Sequence, residues 1–156
     1  MAKTVIIWGK LFDGPSDTML GPTEILIEDD TIVEVSGSVG RPGGANVLDL
    51  SDRTASPGFI DTHVHLCVDG LNLARQTLQC SPAKALAGLH YAQQYMRYDF
   101  TTLRDMGTLD PEWPTVNLRD AIDSGMARGP RLIVAPHMRV NSAIARVGRI
   151  NRRSLP

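Results

Sequence analysis

From residue 58 onward, short apolar stretches alternate with longer amphipathic ones in the order β-α-β-α-β. Few folds accommodate such an order. Parallel neighbours need a crossover, and the crossover is almost always right-handed, so a parallel sheet with covering helices is predicted. The first strand covers Gly58 to Leu66 and is introduced abruptly by Pro57-Gly58. Ser81 reads as an N-cap with Pro82 at the first helical position, opening a helix over about 82–98. Ala85, Leu89, Ala92 and Met96 recur at helical spacing as its buried stripe, and His90 falls on its surface. Phe100 to Gly107 is rich in β-branched and apolar residues and reads as a strand. A second helix is predicted over 115–127, with Leu118, Ala121, Ile122 and Gly125 on one face and Gly129 as its C-cap. Leu132-Ile133-Val134-Ala135 is fully apolar, as buried parallel strands tend to be.

The preceding residues follow another pattern. Strands are predicted at 3–8, 24–28, 31–35 and 47–50, with a tight hairpin at Asp29-Asp30 and a Gly- and Pro-rich loop from Gly37 to Gly44. Four short strands with polar turns suggest a small β-sandwich.

The candidate chemistry lies in the strand at 58–66. Side chains at i and i+2 share a strand face, so His63 and His65 project together. Two imidazoles on one rigid strand form half a site for a borderline metal such as zinc. Asp61 shares that face and could orient a ligating ring or touch the metal. The alternative is two histidines satisfied by ordinary hydrogen bonds. Cys67 would extend the face to a His-His-Cys set if the strand continued, although a small apolar cysteine is common there. His137 ends the last predicted strand, from which it could approach a metal held by the histidines. Thr102, Arg104 and Asp105 fit an interior or a salt-bridged role as well as substrate binding.

Bulk properties narrow the function classes. The formal net charge of −1, with 21% charged residues, gives no global reason to bind nucleic acid or an acidic surface. Five arginines and no acid lie between His137 and Pro156, leaving 11 basic and 17 acidic groups before them. That segment reads as an arginine-rich arm for phosphate or an acidic partner, or as a truncated or out-of-frame end that does not fold. Two cysteines, Cys67 and Cys80, cannot make a disulfide framework. Val5-Ile6-Ile7-Trp8 is too short for a signal-peptide core, and no run approaches the ~20 apolar residues of a membrane span. The expectation is cytoplasmic, with no membrane and no nucleic-acid partner.

The run Pro57-Gly58-Phe59-Ile60-Asp61-Thr62-His63-Val64-His65 resembles the first barrel strand of the amidohydrolase superfamily. Phe100-Thr101-Thr102-Leu103-Arg104-Asp105-Met106-Gly107, Leu118-Arg119-Asp120-Ala121-Ile122 and Gly129-Pro130-Arg131-Leu132-Ile133-Val134-Ala135 are similar to its second strand, second helix and third strand. They are most similar to the branch of imidazolonepropionase-like enzymes and Xaa-Pro or Xaa-Arg dipeptidases. Asp99 stands where a glycine is usual, and the motif correspondence ends near residue 136.

The resemblance implies an α/β fold: a partial β-sandwich over 1–56, the first three strands of an incomplete (β/α)₈ TIM barrel over 57–136, and an atypical basic tail over 137–156. A whole barrel takes about 250 residues, so three strands leave apolar edges open and a homo-oligomer is possible. The implied chemistry is hydrolysis of a C–N bond in a small-molecule substrate (a non-peptide amide, lactam or amidine, or a dipeptide) by metal-activated water. A complete enzyme would hold one or two divalent ions, zinc foremost, with His63 and His65 as first-strand ligands. The family's bridging lysine or glutamate, its later histidines and its strand-8 aspartate have no counterparts here, since Lys3, Lys10 and Lys84 lie in the leader or the first helix. The catalytic residue is therefore unassigned, no organic cofactor is implied, and the 156-residue chain alone is expected to be inactive. The alternative is a non-catalytic truncated remnant that binds metal weakly or associates through its open sheet.

Overall fold

The structure is a computed structural model that describes residues 2–68, 70, 76 and 78–138. The chain divides into two compact units, Met1–Pro57 and Gly58–Pro156.

The first unit is one four-stranded sheet. Strands β1 (Lys3–Leu11), β2 (Thr23–Glu28), β3 (Thr31–Ser36) and β4 (Asn46–Ala55) lie in the order β3-β2-β1-β4. The hairpin between β2 and β3 turns at Asp29, whose φ of 53° is the left-handed geometry a two-residue turn demands. A long connection then brings β4 alongside β1 in parallel. Among the described residues of this unit the strands make a single layer, where the turn-rich pattern suggests two. Strand β4 also outruns the apolar stretch 47–50: the polar residues Asp52 to Thr54 continue the strand after a register shift opposite Trp8 and Lys10. Val5, Leu26 and Val39 form the buried centre. Arg41 clamps Glu24 through both guanidinium nitrogens at 2.6 and 2.7 Å, and the Val39 amide donates to the same carboxylate. Those bonds hold the Glu24 carboxyl down at about 2.

The second unit realises the predicted alternation. Strand β5 (Phe59–Val64), helix α1 (Ser81–Arg97), strand β6 (Phe100–Asp105), helix α2 (Pro114–Asp123) and strand β7 (Arg131–Val134) build a parallel sheet in the order β5-β6-β7. The register sets Val64 beside Asp105 and Asp105 beside Val134, so the three strands end at one level. Val64, Leu66, Cys67, Ala92, Leu103, Leu118 and Leu132 form its core.

Three local expectations are corrected. The N-cap of α1 is Cys80, because the Ser81 hydroxyl donates to Asp110 at 2.6 Å and leaves the helix amides uncapped. The buried stripe of α1 runs through Lys84, Gly88 and Ala92, with Leu89 and Tyr95 at its margin, while Met96 is exposed. Helix α2 stops at Asp123, four residues early, since Gly125 takes φ 76° just past its end and supplies the stop assigned to Gly129.

Candidate metal centre

His63 lies on the last turn of pleat in β5, and His65 follows Val64 as the chain leaves the sheet. Strand alternation brings the two rings together: their centroids are 5.4 Å apart and the planes meet at 73°. Immediately beyond, Leu66 and Cys67 turn down into the core, 2% and 3% exposed. That burial fixes the point at which the backbone bends and keeps His65 at the strand mouth.

The Nδ1 atom of His65 lies 2.8 Å from the Gly107 carbonyl oxygen. A carbonyl can only accept, so this ring nitrogen carries the proton, and in the neutral ring Nε2 keeps its lone pair. Donation of this kind is how metal-ligating imidazoles are commonly oriented. Gly107 is itself constrained. Its φ is 90°, and a side chain there would lie 2.5 Å from the His137 carbonyl carbon, so only glycine fits. The adjoining Asp105 is 1% exposed. One carboxylate oxygen accepts from the Leu66 amide and the other from the Gly107 amide, each at 2.7 Å. Burial pushes the Asp105 carboxyl up, against the pull of these two amides and the neighbouring His65. The Met106 amide donates to Val64 at 2.8 Å and the Ala135 amide to Asp105 at 2.9 Å, so the ends of β5, β6 and β7 are stitched together here.

The other sequence candidates do different work. Asp61 accepts from the backbone amide of His63 at 3.0 Å and is a hydrogen-bond partner of Tyr95, so it steadies the strand. Burial, with the Asp61 carboxylate, pushes the Tyr95 hydroxyl up. Cys67 does not extend the histidine face. Its sulfur packs against α1, where a side chain at Gly88 would lie 2.7 Å from it. Burial, then the charges of Asp105 and Asp110, push the thiol up to about 12. A metal needs the thiolate, which this environment disfavours. His137 sits at the end of β7, but its Nε2 accepts from the Trp113 indole at 2.7 Å. Arg104 is exposed and Thr102 half-buried. Lys84 is buried against Asp110, which also takes the Ser81 hydroxyl and the Glu112 amide.

A cavity of about 440 Å³ adjoins His65, walled by Val64, Leu66 and the aromatic rings of Tyr91, Tyr95, Tyr98 and Phe100. Among the described residues no three His, Cys, Asp or Glu side chains converge as a ready metal cage. The donor set present is thus a pair of imidazoles with one ring's tautomer fixed, which suits a borderline divalent ion.

Sequence reasoning paired His63 with His65 but gave Asp105 no definite part. Its partners, Leu66 and Gly107, lie 39 residues back and two residues on, and only the first contact belongs to the tertiary fold. The one available signal was its place at the end of the strand neighbouring the histidines.

The amidohydrolase family model matches residues 54–152. The chain belongs to the amidohydrolase family. The match continues past residue 136, where the motif correspondence read from the residues ends. A dihydroorotase of Anaeromyxobacter dehalogenans is 34% identical over 88 residues, 56% of this chain and 20% of the relative. A Geobacter sulfurreducens dihydroorotase is 34% identical over 80 residues, 51% of this chain and 19% of the relative. A Xaa-Pro dipeptidase solved with methionine in its active site superimposes with a TM-score of 0.76 at 31% identity, covering 87% of this chain and 34% of that one. Phenylurea hydrolase B gives 0.73 at 25% identity, covering 84% of this chain and 30% of its own. This amidohydrolase chain therefore spans about a fifth of these curated relatives and a third of these solved ones.

Proposed function

We propose that this amidohydrolase sequence supplies the first-strand half of a metal centre for hydrolysis of a C–N bond in a small molecule. In this reading β5 to β7, with α1 and α2, are the opening third of a (β/α)₈ barrel. The histidines then stand at the carboxyl ends of the strands, where barrel sites lie. One observation carries the reading: His63 and His65 lie side by side, and the Gly107 carbonyl holds His65 with Nε2 free to coordinate. A divalent ion held there, zinc foremost, would supply a Lewis acid and an activated water. His63 and His65 would hold it, Asp61 fixes the backbone of His63, and the aromatic-walled cavity beside His65 leaves room for a small molecule.

Two imidazoles are too few for a tight site, and ligands from outside the described residues would have to complete it. The 156-residue chain alone is accordingly predicted to show negligible hydrolysis. The same donor count favours a second reading, in which the chain is non-catalytic, binds metal weakly and associates with another copy through the open edges of β5 and β7.

The test is titration of the purified chain with Co²⁺ and Zn²⁺, alongside His63→Ala and His65→Ala, with dipeptide and cyclic-amide hydrolysis assayed in parallel. Weak binding lost in either variant supports the metal assignment, and binding unchanged in both defeats it. Robust metal-dependent turnover by this chain would overturn the predicted inactivity and the second reading together.

A further inference from the structure

Asp105 carries a buried carboxylate that reaches two backbone amides on different strand ends, and both belong to the frame around His65. Leu66 is the residue after His65, and Gly107 owns the carbonyl that receives the Nδ1 proton. We infer that Asp105 is a positioning residue, which by gripping the Leu66 and Gly107 amides aims the Gly107 carbonyl at His65 and so fixes the tautomer that leaves Nε2 for a metal.

The argument is one of donors and acceptors. At φ 90° Gly107 has no side chain to restrict it; Asp105 anchors the peptide that ends at its amide, and without that anchor the turn at its Cα could swing the next peptide's carbonyl away from the ring. Each oxygen of the Asp105 carboxylate accepts one amide, an arrangement a carboxylate meets and a carboxamide cannot, because an amide side chain offers one acceptor and one donor. The site is closed to water, with Asp105 and Leu66 1% and 2% exposed, so a mismatched donor finds no solvent to bond. Substitution at Asp105 therefore acts on His65 through the turn at Gly107, from its amide to its carbonyl, without contact with the ion.

This inference deepens the metal reading and rests on it for its purpose, but its first readout needs no metal. In the metal-free full chain at pH 8, long-range ¹H–¹⁵N NMR is expected to show His65 protonated at Nδ1, with the Leu66 and Gly107 amides protected from exchange. In Asp105→Asn, folded by circular dichroism, His65 is expected to populate the Nε2–H form, and Zn²⁺ affinity to fall ~10–100-fold, the range typical of lost outer-shell partners. A folded variant that keeps the Nδ1–H form and binds Zn²⁺ within twofold of the parent overturns the inference. Should Asp105→Asn fail to fold, the parent decides: His65 protonated at Nε2, or readily exchanging Leu66 and Gly107 amides, overturns it, and the opposite result supports it. A parent that binds no Zn²⁺, with the tautomer shifting in the variant, sinks the metal reading and leaves the positioning role standing.

Discussion

Asp99 occupies the left-handed region at φ 65°, between the end of α1 and Phe100. Its amide donates to Met96 and its carbonyl accepts from Phe59, so the chain cannot relax out of that conformation. Aspartate tolerates it better than most residues, and glycine better still. Asp99→Gly is expected to raise stability by about 0.5–1 kcal/mol, read as a higher urea midpoint with unchanged slope, and a lower midpoint would refute the strain. The resemblance implies glycine at this place, and the positive φ supplies the reason for it. A similar division runs through the candidate metal centre. His63 and His65 were legible because their relation is local, two residues along one strand. Asp105 was not, because its meaning depends on a carbonyl and two amides that only folding brings near.

At the scale of elements, α1 shows why periodicity alone misplaced a helix face. Apolar spacing put the stripe on Ala85, Leu89, Ala92 and Met96; the helix does bury Ala92, but with Lys84 and Gly88 rather than with Ala85 and Met96. Gly88 permits the close approach to Cys67 and Leu118 that a larger residue would block. Lys84 follows it inward because Asp110 waits there as counter-ion, joining the first turn of α1 to the loop after β6. Burial alone would raise the Asp110 carboxyl, but the bonds from Lys84 and Ser81 outweigh it and the carboxyl lies below its ordinary value. Such a group favours folding above that ordinary value and loses its contribution as the pH falls through the depressed one. Lys84→Met, which strands the carboxylate, is expected to cost about 3–5 kcal/mol, and adding Asp110→Leu to recover most of it. Melts at pH 7 and pH 3 are expected to differ less in the double variant than in the parent. An additive double variant would show that the pair is not coupled.

At the scale of the molecule, the strand-helix alternation from residue 58 was read in its order, since apolar runs and helical spacing are both short-range signals. The first unit was read less fully, because the polar end of β4 earns its place in the sheet only through pairing with β1. No helix among the described residues is long and apolar enough to cross a membrane. The core of the second unit also holds a clock. Cys80 is exposed while Cys67 is sealed against Gly88 with its thiol held at about 12. A disulfide reagent should thus titrate one thiol at once and reach the other only when the strand-to-helix core opens. An opening of about 4 kcal/mol would slow the second reaction on the order of a thousandfold. Cys67 lies two residues past His65, so an ion gripped by the histidines would lengthen that delay by mass action. Occupancy of the strand mouth would then be timed from the reactivity of a sulfur atom that never touches the ion.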